Sequence, residues 1–81
     1  MDTYQTHDIV LASSLKINGY ILEDITFSTS NKNRAFFIFE DTPELQEFVR
    51  EYHLGHICVE PVQFHNEVRS LTTLIKQSLP R

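Results

Sequence analysis

A run of four bulky apolar residues constrains this chain more than any other feature. The run is FFIF, Phe36 to Phe39, which follows Arg34 and an alanine and precedes two acids. In an antiparallel strand with one solvent-facing side, apolar and polar residues alternate, and here they do not. Phe37 and Phe39 share one parity, and Phe36 and Ile38 share the other, so both faces of the predicted strand need cover. Helices of the same chain or a second protein chain can cover Phe36 and Ile38, and the sequence leaves both options open.

The same stretch has to be weighed as a nucleic-acid-binding strand. An RNA-recognition strand carries a basic residue, a small residue and then alternating aromatics that stack on bases. RAFFIF opens in this way, but Phe37 stands where that pattern has a small residue, and Glu40 closes the run. A packing strand is therefore favoured over a base-stacking one.

The neighbouring segments predict a small, mostly antiparallel sheet. Tyr20 to Phe27 is rich in β-branched and aromatic residues, with Ile21, Ile25 and Phe27 on one parity. The polar segment STSNKN, residues 28–33, predicts a six-residue hairpin loop to the FFIF strand. HICVE, residues 56–60, predicts a third strand, and TYQT near the N-terminus is compatible with a short edge strand.

Three segments have helical spacing. The first begins at a cap on Thr6 or Asp8 and runs to about residue 17, where Asn-Gly ends it. The second follows Asp-Thr-Pro, and the third begins at Pro61 and ends before Pro80. Their apolar stripes are Leu11, Ala12 and Leu15; Leu45, Phe48, Val49 and Tyr52; and Phe64, Val68, Leu71 and Ile75. The predicted order is (β)-α-β-β-α-β-α, an α+β domain over residues 1–81.

The composition describes one folded domain and argues against several classes of protein. The chain has 81 residues, of which 41% are hydrophobic and 22% charged, as in ordinary globular domains. A single cysteine forms no internal disulfide, the acidic N-terminus does not resemble a signal peptide, and no apolar run is long enough to span a membrane. We therefore expect a soluble, cytoplasmic protein without a membrane partner.

The charge distribution disfavours general binding to nucleic acids. The net charge is −4, and acids crowd the second helix, where the simplest interpretation is a solvated helix face. A local basic patch is still the main alternative, because it would bind phosphates whatever the net charge. Its members would be Lys32, Arg34, Arg69 and Lys76.

The sequence provides no convincing catalytic or metal-binding constellation. His53, His56, Cys58 and His65 are ligand types for zinc, but Gly55 interrupts them and their spacing matches no known zinc finger. Adjacent acids on a strand point to opposite faces, and the chain has no glycine-rich phosphate loop or serine-nucleophile motif. We therefore expect no enzyme activity, no metal and no cofactor.

Several motifs together resemble a known family. They are HDIVLASSLKINGY, FIFED, PELQEFVREY, and VEP followed by FHNEVRSLTTLIK. Nearly the whole chain resembles a small bacterial and phage domain family that is catalogued only as a domain of unknown function. The resemblance implies a compact domain of this size and a bacterial or mobile-element origin, and it carries no activity and no site residues.

Taken together, these observations favour a small non-enzymatic module that binds another protein or a second copy of itself. Phe36 and Ile38 are the predicted contact residues, with Lys32 and Arg34 beside them. A nucleic-acid-associated domain and a phage-encoded inhibitor of a host protein are the alternatives.

Overall fold

The computed structural model describes residues 2–27 and 34–78, which form three strands and three helices. The predicted hairpin loop, with Lys32, and Pro80 lie outside the described residues. The elements in chain order are β1 (Thr3–Thr6), α1 (Ile9–Ile17), β2 (Leu22–Phe27), β3 (Ala35–Glu40), α2 (Pro43–His53) and α3 (Pro61–Ser78).

The three strands form an antiparallel sheet in the order β1-β3-β2, with the FFIF strand at its centre. The α+β class, the three-stranded antiparallel sheet and the three helices are thus confirmed. The N-terminal TYQT strand is the third member of the sheet, and HICVE is not. Residues 56–60, all of which the structure describes, contain no strand.

Two features explain why HICVE does not join the sheet. Both edges of the central strand β3 are already paired, so a further strand could join only at the outer edge of β1 or of β2. Glu60, the last residue of the segment, instead caps α3. Its two carboxylate oxygens accept hydrogen bonds from the backbone N–H groups of Val62 (3.1 Å) and Gln63 (2.6 Å), so the segment serves as the entry to a helix.

A β-bulge in β2 changes which residues face the core. The register shifts between Leu22 and Asp24, so that Leu22 lies opposite Phe39 while Ile25 lies opposite Phe37. Leu22 and Ile25 therefore share one face although their sequence parity differs. The prediction that Ile21 shares a face with Ile25 is corrected, because the bulge separates them and Ile21 is 79% exposed.

Side-chain caps and glycines determine where the helices begin and end. Asp8, one of the two predicted caps, accepts hydrogen bonds through Oδ1 from the N–H groups of Val10 (2.9 Å) and Leu11 (3.3 Å). Both α1 and α2 end in the same way: Gly19 and Gly55 have positive φ angles of 91° and 78°. In each case the following N–H groups bond back to carbonyls of the last turn, which satisfies groups that would otherwise have no partner.

The hydrophobic core lies between one face of the sheet and the helices. Phe37 and Phe39 are 1% and 0% exposed. The helices bury against them Leu11, Ala12 and Leu15 of α1, Leu45 and Val49 of α2, and Leu71 of α3. The predicted stripe of α2 therefore faces the core.

Within that stripe, Leu45 is more deeply buried than Phe48. Phe48 is half-buried, with its ring tilted against Tyr20 at a centroid distance of 5.6 Å, whereas Leu45 is completely buried. The third helix has its main contacts with α1, and a 2.9 Å ion pair between Lys16 Nζ and Glu67 Oε1 lies at this contact. The helices thus form a second layer over one face of the sheet, with α3 held through α1.

Leu45 provides a test of the core. We expect Leu45→Ala to lower the free energy of unfolding by about 2–5 kcal/mol, because the substitution leaves a cavity in a fully buried site. The matched control is Leu54→Ala, at the C-terminal cap of the same helix, where the side chain is 55% exposed. That control should change the stability by less than about 0.5 kcal/mol. Urea denaturation measures both, and equal effects would contradict the assigned core.

The raised pKa values of two tyrosines lead us to predict a loss of stability at alkaline pH. Burial, followed by the negative charge of Asp8, raises the pKa of Tyr4 and of Tyr52 above the ordinary value of 10.0. Tyr52 Oη also donates a 3.1 Å hydrogen bond to Asp8 Oδ2, which ties α2 to the start of α1.

Because the folded-state pKa is the higher one, the contribution of each neutral phenol is complete below about pH 10 and is lost as the pH rises through the folded value. We expect the melting temperature to fall more steeply above about pH 10 in the parent than in Tyr52→Phe. Thermal melts at a series of pH values measure both slopes. Identical slopes would show that Tyr52 makes no such contribution.

Candidate functional site

The side of the sheet that faces away from the core is the first candidate surface. We call it the outer face, and it consists of Gln5, Asp24, Thr26, Phe36 and Ile38. Strand pairing places Gln5 and Asp24 on either side of Ile38, and Thr26 beside Phe36. Among the described residues, the helical side chains of the core pack on the opposite side of the sheet, around Phe37 and Phe39.

Phe36 and Ile38 are half-buried on this face. Their cover comes from the polar neighbours on β1 and β2 and from His7, whose ring lies 6.0 Å from that of Phe36, centroid to centroid. The two residues therefore form a narrow apolar strip between polar side chains. The sequence left two possibilities for covering Phe36 and Ile38: helices of the same chain or a second protein chain. In the described part of the chain, the helices pack around Phe37 and Phe39 on the other face.

The four basic residues of the predicted patch have different positions. Arg34 is exposed just before β3, and Lys32 lies outside the described residues. Arg69 and Lys76 are exposed on α3, which has its main contacts with α1. The outer face itself carries a carboxylate, Asp24, with Glu40 at the end of β3.

The histidines and the cysteine of the predicted metal-like cluster are dispersed. His53 ends α2 with its ring against Tyr52, and His56 pairs through Nδ1 with Glu51 of the same helix. Cys58 and His65 are exposed, in the following segment and on α3. Among residues 2–27 and 34–78, no group of three or more potential ligands is placed to hold a metal ion.

A second surface, which the sequence did not predict, is a groove of about 300 Å³ at one end of the sheet. We call it the end groove. The turn after α1, the beginning of β2, the end of β3 and the first turn of α2 surround it. The buried side chains of Phe39 and Leu45 form its floor.

The rim of the end groove combines apolar and acidic groups. Ile21 is highly exposed there, and the half-buried ring of Tyr20 is fixed by a 3.1 Å hydrogen bond from its hydroxyl to the carbonyl of Glu44. Three exposed acidic residues, Glu23, Glu40 and Glu44, also line the groove. Glu40 and Glu44 are four positions apart, and the fold brings Glu23 to the same opening from 17 positions before Glu40.

The family model described as "Domain of unknown function (DUF5659)" matches residues 1–77, which include every strand and nearly all of α3. The chain belongs to the DUF5659 family. This agrees with the resemblance to a domain family of unknown function. Neither the curated proteins nor the solved structures include a match. In the described part of this DUF5659 domain, no helix combines the length and the apolar character needed to cross a bilayer.

The dispersed histidines lead to a prediction about metal. We expect a chelator to leave the melting temperature unchanged, because the ligand types do not converge and metal binding energy therefore does not contribute to folding. Differential scanning fluorimetry with and without EDTA measures the effect. Elemental analysis of protein purified without added metal is the control, and stoichiometric zinc in that sample would contradict the prediction.

Proposed function

We propose that this domain is a small non-enzymatic protein–protein interaction module that binds its partner through the outer face. The observation that carries the proposal is the position of Phe36 and Ile38 on a sheet face without a covering helix among the described residues. A contiguous apolar strip with polar edges is typical of interaction surfaces, since an apolar centre provides affinity and a polar rim remains compatible with solvent. The bacterial or mobile-element origin is part of the proposal and is supported by the family resemblance alone.

The size of the outer face limits the kind of association. Three strands of four to six residues provide a surface of about 300 Å², given a strand spacing of about 4.8 Å and a rise of about 3.4 Å per residue. Stable complexes bury about 800 Å² on each partner. A second copy packed only on this sheet would therefore form a weak, concentration-dependent dimer. A tighter partner has to extend beyond the strands.

The charges of the outer face disfavour nucleic acid as the partner. Asp24 lies on β2 beside Ile38, Glu40 lies at the end of β3, and the three described strands include neither lysine nor arginine. Phosphate groups bind where lysine and arginine can displace their counterions. Binding to a short RNA or DNA that weakens steeply with salt would favour the nucleic-acid alternative instead.

A pair of adjacent substitutions tests the orientation of the central strand. We expect Phe36→Glu to remain folded, because the new carboxylate can reach water from the outer face. Phe37→Glu should unfold the domain, since it places an unpaired charge in the core, where Phe37 is 1% exposed. Circular dichroism and thermal melts separate the two outcomes. Unfolding of both variants would mean that Phe36, like Phe37, is buried in the interior of the domain.

The interaction itself is tested by sedimentation velocity over a range of concentrations. We expect the parent to form a reversible dimer and Phe36→Glu to be monomeric. Val62→Glu is the control, because it adds the same charge at a 66% exposed apolar residue on α3. If the parent is monomeric throughout, the partner is a different protein. It should then be captured from cells by the parent and by Val62→Glu, and not by Phe36→Glu.

Equal behaviour of Phe36→Glu and Val62→Glu in both experiments would overturn the proposal. A loss of association in both variants would indicate a general effect of added negative charge rather than a contact at the outer face.

A further inference from the structure

The end groove has a composition that suits one class of ligand. Its floor is apolar, because Phe39 and Leu45 close it from below, and the exposed side chain of Ile21 extends this apolar surface to the rim. Its volume of about 300 Å³ is at the lower limit for small-ligand pockets. A single long side chain and part of its backbone would fit such a space, whereas a larger metabolite would not.

The charge of the groove is uncompensated within the described part of the chain. Glu23, Glu40 and Glu44 border it, and none of them is among the ion pairs that the described residues form. Each carboxylate is carried by a different element: β2, β3 and α2. A cation in the groove would therefore lie near acidic residues of three different elements.

We infer that the end groove binds an arginine side chain presented by a partner protein. The inference rests on the proposed function, because it takes the ligand to be part of a protein, but it concerns a different surface. The guanidinium group meets the carboxylates at the rim, and the aliphatic stem packs along Ile21 above the apolar floor. The end groove thus adds selectivity for charge to a module whose outer face offers mainly apolar contact.

Arginine fits this arrangement better than lysine for two reasons. Its planar guanidinium has five N–H donors and can bond to more than one carboxylate at a time, whereas the lysine ammonium acts as a point charge. The ring of Tyr20 lines the groove, and its hydroxyl is held by the carbonyl of Glu44, so the ring is positioned as a surface on which a guanidinium can stack.

The occupancy of the groove can be tested with short peptides and the isolated domain. The probe is an acetylated and amidated Gly-Leu-Arg-Leu-Gly peptide, and binding is followed by NMR amide shifts at low ionic strength. We expect shifts that saturate and concentrate at Tyr20, Ile21 and Glu44. The matched peptide with citrulline, which has the same shape without the charge, should bind about five- to twentyfold more weakly. Each exposed ion pair contributes up to about fivefold in affinity.

Two pairs of variants separate the groove from the general acidity of α2. Glu44→Gln should weaken binding of the arginine peptide about two- to fivefold. Glu47→Gln removes the same charge from an exposed residue of the same helix that does not line the groove, and should leave binding unchanged. Ile21→Ser should also weaken binding, whereas Val62→Ser, at an exposed residue on α3, should not.

Three outcomes would overturn the inference. One is equal binding of the arginine and citrulline peptides, and another is an equal loss of binding in Glu44→Gln and Glu47→Gln, which would indicate only the diffuse field of an acidic helix. The third is the absence of groove shifts at about 10 mM peptide, a concentration that detects even very weak binding. A lysine peptide that binds as tightly as the arginine peptide would overturn the choice of arginine.

The Phe36→Glu variant distinguishes this inference from the proposed function. We expect it to bind the arginine peptide as the parent does, because Phe36 is not part of the groove. If Phe36→Glu leaves partner association intact while the arginine peptide still binds, only the role of the outer face fails. If association depends on Phe36 and no arginine peptide binds, only the groove inference fails.

Discussion

The structure depends on the burial of Phe37 and Phe39 on one side of the central strand. The side chains of β3, the central strand, project from the two faces of the sheet, so they are covered only by layers above or below it. The helices supply large apolar side chains to one of these faces, and each fully buried side chain of this kind contributes about 1.5–3 kcal/mol. Asp8 sets the position of this layer, because it caps α1 and accepts a hydrogen bond from Tyr52 of α2. Because the helices in the described part of the chain cover only the face with Phe37 and Phe39, Phe36 and Ile38 lie on a face without a helical layer.

Most of the fold could be predicted from local signals. The caps at Asp8, Thr42 and Glu60 and the glycines after α1 and α2 act within a few residues, so the helix boundaries follow from short-range chemistry. Which strands pair depends on contacts between residues distant in the sequence, and HICVE has the composition of a strand but leads into α3. The bulge in β2 was also unpredictable, because an extra residue in a strand leaves no periodic signal in six residues.

The candidate surfaces were predictable to different degrees. Parity alone indicates that Phe36 and Ile38 share a face, but whether helices cover that face depends on which side all three helices pack. The end groove could not be predicted, since Glu23, Glu40 and Glu44 come together only through the bulge, the hairpin pairing and the start of α2. The result is a domain with two chemically different surfaces: an apolar strip on the sheet and an acidic opening at its end.

The bulge in β2 has a further consequence for the behaviour of the free domain at high concentration. β2 is an edge strand of six residues, and its unpaired backbone groups could serve as a template for strands of other molecules. The register shift between Leu22 and Asp24 interrupts the regular spacing of those groups, and the neighbouring Glu23 adds charge at the same point. An incoming strand would meet misaligned donors and acceptors together with like charge. The irregularity that lets Leu22 pack against the core therefore also makes this edge a poor template for edge-to-edge aggregation.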